Sequence, residues 1–389
     1  MSKHNPAYVI HAMLPGHSGP VMALVASEDG SLLASGGADG TRVWDLKSKR
    51  SLQVPAVPRI RAATTAITWT KRTDAQCESL AFGTQTGYVV CYTQKNTGST
   101  TCFEESHCHR MPNPSEVTCI AFDTLSARLA VANRNGTVQV WSLAGENPAG
   151  LFTTSSDVIV PRALAFGRLE ETEPEDGVLV FGLYEGNVYS VKAGGIMASK
   201  WCIGAHIGSV AFDSKSKTIC MDDPLQGPRI YRLQDRTCTK AFSVPVTRTM
   251  RCRQVAFANG DKSIVSGSDH GMVYVHNRGS QEAPSRLSIG ENDWVQTVGS
   301  TEYAGATMIF AAKSGLGAGK NSIVVWRARK GGRKCSGLSK NSAFGPKILS
   351  DWAGNSNKSE GEFPAMNCER QQEERSVTTP NVLCRAVVP

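Results

Sequence analysis

Residues 16–46 read GHSGPVMALVASEDGSLLASGGADGTRVWDL. An alternating apolar run (PVMALVA) is followed by a polar turn (SEDG), a small-residue run (SLLASGG), a turn centred on glycine (ADG) and a second alternating run that closes on Trp44. Side chains of a strand point alternately to its two faces, so a period of two in short runs separated by turn residues predicts three successive antiparallel strands.

Residues 114–143, PSEVTCIAFDTLSARLAVANRNGTVQVWSL, repeat that order feature for feature. Five weaker copies follow the template: ATTAITW with SLAFGTQTGYVVCY, VPRALAF with VLVFGLYEGNVYSV, GSVAFDSKSKTICMDD with GPRIY, RCRQVAF with SIVSGSDHGMVYVH, and DWVQTVGS with MIFAAKSG and NSIVVW. Their closing positions, Trp44, Tyr92, Trp141, Val191, Tyr231, His276 and Trp326, lie 40 to 50 residues apart. Such a period is that of a propeller blade. The expected fold is all-β, a seven-bladed β-propeller of four-stranded antiparallel blades. The propeller is assigned to residues 1–329, with repeats at about 16–46, 62–94, 114–143, 160–193, 204–233, 246–278 and 291–329. Residues 330–389, rich in Ser, Asn, Gly, Glu and Lys, are read as a disordered basic and polar tail.

Over about residues 7 to 329 the chain resembles the WD-repeat family. Gly16-His17 matches the family's Gly-His pair, Ser35 to Gly40 its Ser-Gly-x-x-Asp turn, and Trp44-Asp45 the dipeptide that names it. The first repeat alone carries all three; the sixth keeps Ser266-Gly267-Ser268-Asp269, the third Trp141, and the fifth a His206 one residue out of step. The resemblance implies that His17, Ser35, Asp39 and Trp44 form a buried hydrogen-bonded relay, with Asp39 a staple and not a catalyst. A blade without the relay depends on apolar packing, so blades two, four and seven are expected to be softer.

The last repeat ends at its third strand, Ile323–Trp326, and the run Ala7–Met13 is expected to supply the missing outer strand and cover the open edge. Hydrophobic residues make up 40% of the chain, enough for a sizeable core, and no run approaches the ~18 apolar residues of a membrane helix. The N-terminus lacks a secretory h-region. Twelve cysteines lie scattered through apolar runs. A cytoplasmic or nuclear protein without membrane association is expected.

Several clusters invite chemistry. Cys102, His107, Cys108 and His109 carry ligand atoms, but their spacing suits no standard zinc site, and they are read as part of an outer strand (Cys102) and the loop towards the next blade (His107 to His109). Gly315–Asn321 resembles a truncated phosphate loop, yet a strand and not a helix follows it, so a long turn is expected. The basic run Arg327–Lys334 reads as a charged linker, with nuclear import or nucleic-acid binding as the alternative, and the acidic insert Glu170–Asp176 as a solvated loop. No metal, cofactor or catalytic residue is assigned, and the chain is read as a non-enzyme.

Stacking the repeats places the residues that flank the start of each inner strand at one rim of the channel. They include Glu116 and Thr118, Val160 and Arg162, His206 and Gly208, Arg251 and Arg253, Trp294 and Gln296, with Arg59, Arg61 and Arg248 nearby. With a net charge of +8 overall, the expectation is a basic rim that binds acidic or phosphorylated peptide segments. Its contacts would be Arg162, Arg251, Arg253, Glu116 and His206, with Trp294 as apolar anchor. The chain is thus read as a monomeric scaffold or adaptor propeller working inside a larger protein complex. The competing reading is an RNA- or chromatin-associated protein using the basic rim and tail; a propeller enzyme is third.

Overall fold

A computed structural model describes residues 7–97, 100–169, 172, 177–213, 217–246, 250–290, 293–315 and 321–329. The expected tail, the centre of the Gly-rich turn, most of the acidic insert, Arg248 and the basic run beyond Arg329 lie outside the described residues.

Twenty-eight strands form seven four-stranded antiparallel sheets arranged as the blades of a propeller. The innermost strands are Val21–Ala26, Thr64–Trp69, Val117–Asp123, Pro161–Phe166, Ser209–Asp213, Val255–Ala258 and Thr297–Tyr303, for blades 1 to 7 in order. The outermost are Arg50–Ser51, Thr100–Arg110, Ala149–Ser155, Met197–Cys202, Cys238–Ala241 and Ser285–Ser288 for blades 1 to 6. Blade 7 takes its outer strand from the start of the chain: Tyr8–His17 pairs antiparallel with Asn321–Ala328, with Ile10 opposite Trp326 and Leu14 opposite Ile323. Closure therefore follows the order expected from the sequence, and it protects a strand that would otherwise present unpaired backbone.

The hydrophobic core is divided into seven clusters, one at each seam between consecutive blades. At the closure seam Ala12 and Leu14 from the N-terminal strand pack with Leu33 and Trp44 of blade 1 and Phe310 and Val325 of blade 7. Six seams hold between eight and twelve buried residues each. The seam between blades 5 and 6 holds four: Cys220, Ile230, Val255 and Ile264. The thin place in the ring thus differs from the blades picked by their missing relay. What sets it is packing between neighbouring sheets, a property of no single repeat.

The turn between second and third strands needs glycine where the chain reverses. Gly40 and Gly136 hold φ of +101° and +76°, and a Cβ at Gly136 would lie 1.9 Å from the Ser156 carbonyl oxygen. These turns and the loops entering each inner strand share one face of the ring, called here the upper face.

Candidate functional site

On the upper face of blade 1 four side chains join end to end. Trp44 donates its indole N–H to Ser35 Oγ at 2.9 Å; Ser35 Oγ lies 2.8 Å from His17 Nε2; His17 Nδ1 lies 2.6 Å from Asp39 Oδ1. With the imidazole proton on Nδ1, every donor in the chain has an acceptor, an assignment made from the network itself. His17, Ser35 and Trp44 are buried. Burial by itself would raise the Asp39 carboxyl, but the His17 contact, the Ser18 N–H and Arg42 outweigh it and hold the group well below the usual carboxylate range. The arrangement has no substrate-accessible nucleophile, and its members are spent on one another.

The rim residues are brought to the upper face but meet different fates. Arg251 lies over the ring of Trp294, 5.6 Å from its centroid, while the Trp294 indole N–H donates to the Cys252 carbonyl at 3.2 Å. Arg162 reaches to the next blade and donates from Nε to the Gly208 carbonyl at 2.9 Å, leaving part of its side chain in solvent. His206 stands edge-on to Tyr184, ring centroids 6.5 Å apart. Glu116 faces Arg134 at 3.5 Å. Thr118 turns its hydroxyl onto the Ala132 carbonyl, and Gln296 accepts a backbone bond from Gln254.

Arg253 is a correction. It is 1% exposed and grips Asp222 of blade 5 through Nε at 3.2 Å and Nη2 at 3.0 Å, with a third bond to the Asp223 carbonyl at 2.8 Å. It bolts blade 6 to blade 5 across the thin seam and presents nothing to a partner. Burial pushes the Asp222 carboxyl up to about 6, with Arg253 pulling the other way. Arg61, another cation expected at the rim, is held by both oxygens of Glu105 at 2.6 and 2.9 Å. The basic character of the rim is therefore local, centred on Arg162 and Arg251 with Arg59 exposed further round.

The cysteine and histidine cluster is also placed differently from the sequence reading: His107 to His109 lie within the outer strand Thr100–Arg110, not in a loop. Together with Cys91 and Trp141 they line a cleft of about 250 Å³ between blades 2 and 3. Burial pushes the Cys91 thiol up to about 12, which disfavours a thiolate ligand, and among the described residues no group of three or more His, Cys, Asp or Glu is arranged to hold a metal ion. No helix among the described residues is long and apolar enough to cross a membrane.

The family model for the WD domain, G-beta repeat, matches residues 9–45 and 101–142. Each match begins in the outer strand of one blade and runs through the three inner strands of the next. That offset of the sequence repeat against the blade is what lets the N-terminal strand clasp blade 7. The two matches and the ring of seven four-stranded blades together support a WD-repeat family member. No match was found among curated proteins.

The WD-repeat relay is complete in blade 1, and other blades close their upper turns by different means. In blade 3, Asn133 is buried; its oxygen accepts the N–H groups of Asn135 and Thr137 and its amide donates to the Asn113 carbonyl at 2.9 Å. Thr84 and Ser268 perform the same closure in blades 2 and 6, accepting from Tyr88 and Met272. Sequence reading missed these, although a small polar residue just before each Gly-centred turn was there to be seen.

Proposed function

We propose that this WD-repeat propeller is a non-catalytic scaffold whose upper rim holds acidic or phosphorylated peptide segments of partner proteins. The fold is consistent with a protein-interaction platform, and propellers of this family generally act as such without catalysis. The observation that supports the peptide reading is the Arg251–Trp294 pair. It sets a cation beside an aromatic face at the rim, with the Trp294 N–H already satisfied by Cys252, so the ring offers apolar surface and the guanidinium offers charge. Arg162 supplies a second cation two blades away.

The test is affinity capture with the full chain beside an Arg162→Glu/Arg251→Glu variant, with and without nuclease and over a salt series. A discrete set of proteins that survives nuclease and is lost in the variant supports the reading. Capture that disappears with nuclease and falls steeply with salt supports the RNA or chromatin reading instead. Capture unchanged by the double variant overturns the rim as the site.

A further inference from the structure

The upper face is uneven. Of the large apolar side chains that stand in solvent on upper loops, Ile60 (68% exposed) lies by itself at blade 2, while Val158 (77%), Tyr184 (56%), Leu225 (47%) and Val246 (38%) sit on the loops of blades 4, 5 and 6. The loops that carry them are tied together in order: Leu183 N–H donates to the Val160 carbonyl, Ile207 N–H to Leu183, and Gly208 N–H to Asp222, at 2.9, 3.1 and 2.8 Å. His206 extends the surface by its edge contact with Tyr184. The result is an arc of exposed apolar side chains on successive, hydrogen-bonded loops, and apolar side chains gathered on otherwise polar turns mark an interaction surface.

The charge beside the arc is mainly positive, with Asp157 next to Val158 the exception. Arg162, on the innermost strand of blade 4, reaches the loop entering blade 5 at Gly208, and Arg251 lies on the loop entering blade 6. The carboxylates of the same loops are turned to structural use: Asp222 on Arg253, Asp223 accepting the Leu225 N–H, Glu185 accepting the Tyr184 N–H. Asp157 is the one exposed carboxylate among the described residues of these loops.

We infer that the arc of Val158, Tyr184, His206 and Leu225 receives the large apolar side chains of an acidic peptide segment. This face would then select acidic sequences interrupted by aromatic or aliphatic residues over sequences that are acidic alone. The inference rests on the rim reading and narrows it: the cations supply attraction, while the arc supplies discrimination, because a phosphate or polycarboxylate chain has nothing to bury there.

Two synthetic fluorescent octapeptides separate the two readings, one of glutamate only and one with two of its glutamates replaced by phenylalanine. Binding to the full chain is followed by anisotropy, alongside a single-stranded oligonucleotide. The phenylalanine peptide is expected to bind at least about tenfold more tightly than the all-glutamate one. Tyr184→Ser/Leu225→Ser should erase that preference, and Arg162→Glu/Arg251→Glu should abolish binding of both peptides. Both double variants alter exposed or half-exposed positions, and unchanged circular-dichroism melts verify folding. Equal affinity for the two peptides, or a preference that survives Tyr184→Ser/Leu225→Ser, overturns the arc and leaves the rim standing. Failure of both peptides to bind, or tighter binding of the oligonucleotide than of either, overturns rim and arc together.

Discussion

At the scale of single residues, the relay of blade 1 and its failed counterpart in blade 6 make opposite predictions. Trp44→Phe keeps the ring but removes the donor to Ser35 and is expected to cost about 1–2 kcal/mol, read by chemical denaturation. In blade 6 the position opposite the second strand that Trp44 holds in blade 1 is taken by His276: Leu33 faces Trp44 and Ile264 faces His276. His276 lies tilted against Phe242 and stacked on Tyr274, and among the described residues its buried Nε2 and the buried Ser266 hydroxyl oxygen find no hydrogen-bond partner. Burial first, and Lys240 second, lower the His276 imidazole to about 4 from an ordinary 6.5. Between those values the unfolded chain binds a proton that the folded one refuses, so the His276 contribution lowers stability as pH drops from about 6.5 to 4, by about 3 kcal/mol, while the raised Asp222 carboxyl works in the opposite direction. His276→Phe should flatten that part of the pH–stability curve; an unchanged slope would assign the acid sensitivity elsewhere.

At the scale of the strand, closure is the step most exposed to test. Tyr8–His17 buries Ala12 and Leu14 in the seam between blades 7 and 1 while Ile10 and Met13 face solvent. Leu14→Ala is expected to cost about 3 kcal/mol by cavity formation, and Met13→Ala close to nothing. Deletion of residues 1–15 should lower the melting temperature well beyond either, since it uncovers the edge of the last strand from Ser322 to Ala328. A truncated chain that melts like the full one would mean that another segment covers that edge. The outer strand was legible in the sequence because the last repeat visibly stopped one strand short. The bulges that set its register, between Ile10 and Ala12 and between Pro15 and His17, were not, because they answer to the partner strand.

At the scale of the ring, stability is shared between apolar seams and cations that cross them. On the lower face Arg72 donates to the Leu143 carbonyl of blade 3, Arg128 lies over Phe166 of blade 4, Arg236 donates to Leu169 of blade 4, and Arg278 joins Asp213 of blade 5. The blade 5–6 seam, with the smallest core, is crossed by several such ties: Arg253 on Asp222, Arg278 on Asp213, and Lys240 donating to the carbonyls of Arg278 and Ser280 at 2.7 and 2.8 Å. Arg253→Ala strands a buried carboxylate and is expected to cost about 3–5 kcal/mol; Arg253→Leu/Asp222→Leu, which removes both charges, should recover most of it. If both variants melt alike, the charge pair is not what holds the seam.

The sequence by itself determined the blade count, the strand order and the relay of blade 1, because strand alternation, Gly-centred turns and the Gly-His and Trp-Asp pairs act within one repeat or its immediate neighbour. It also identified Arg251 and Trp294 as occupants of the rim. Only the tertiary structure decided which rim residues are free. Arg253 and Arg162 hold equivalent places in their repeats, yet one is buried against a carboxylate in the preceding blade and the other crosses to a carbonyl in the following one. Direction and burial are set by what the neighbouring sheet offers at that height, and neighbours in a ring are partners in space that no repeat carries in its own pattern. The arc of Val158, Tyr184 and Leu225 is of the same kind: each is one apolar residue in a turn, and only the stacking of blades brings them onto one surface.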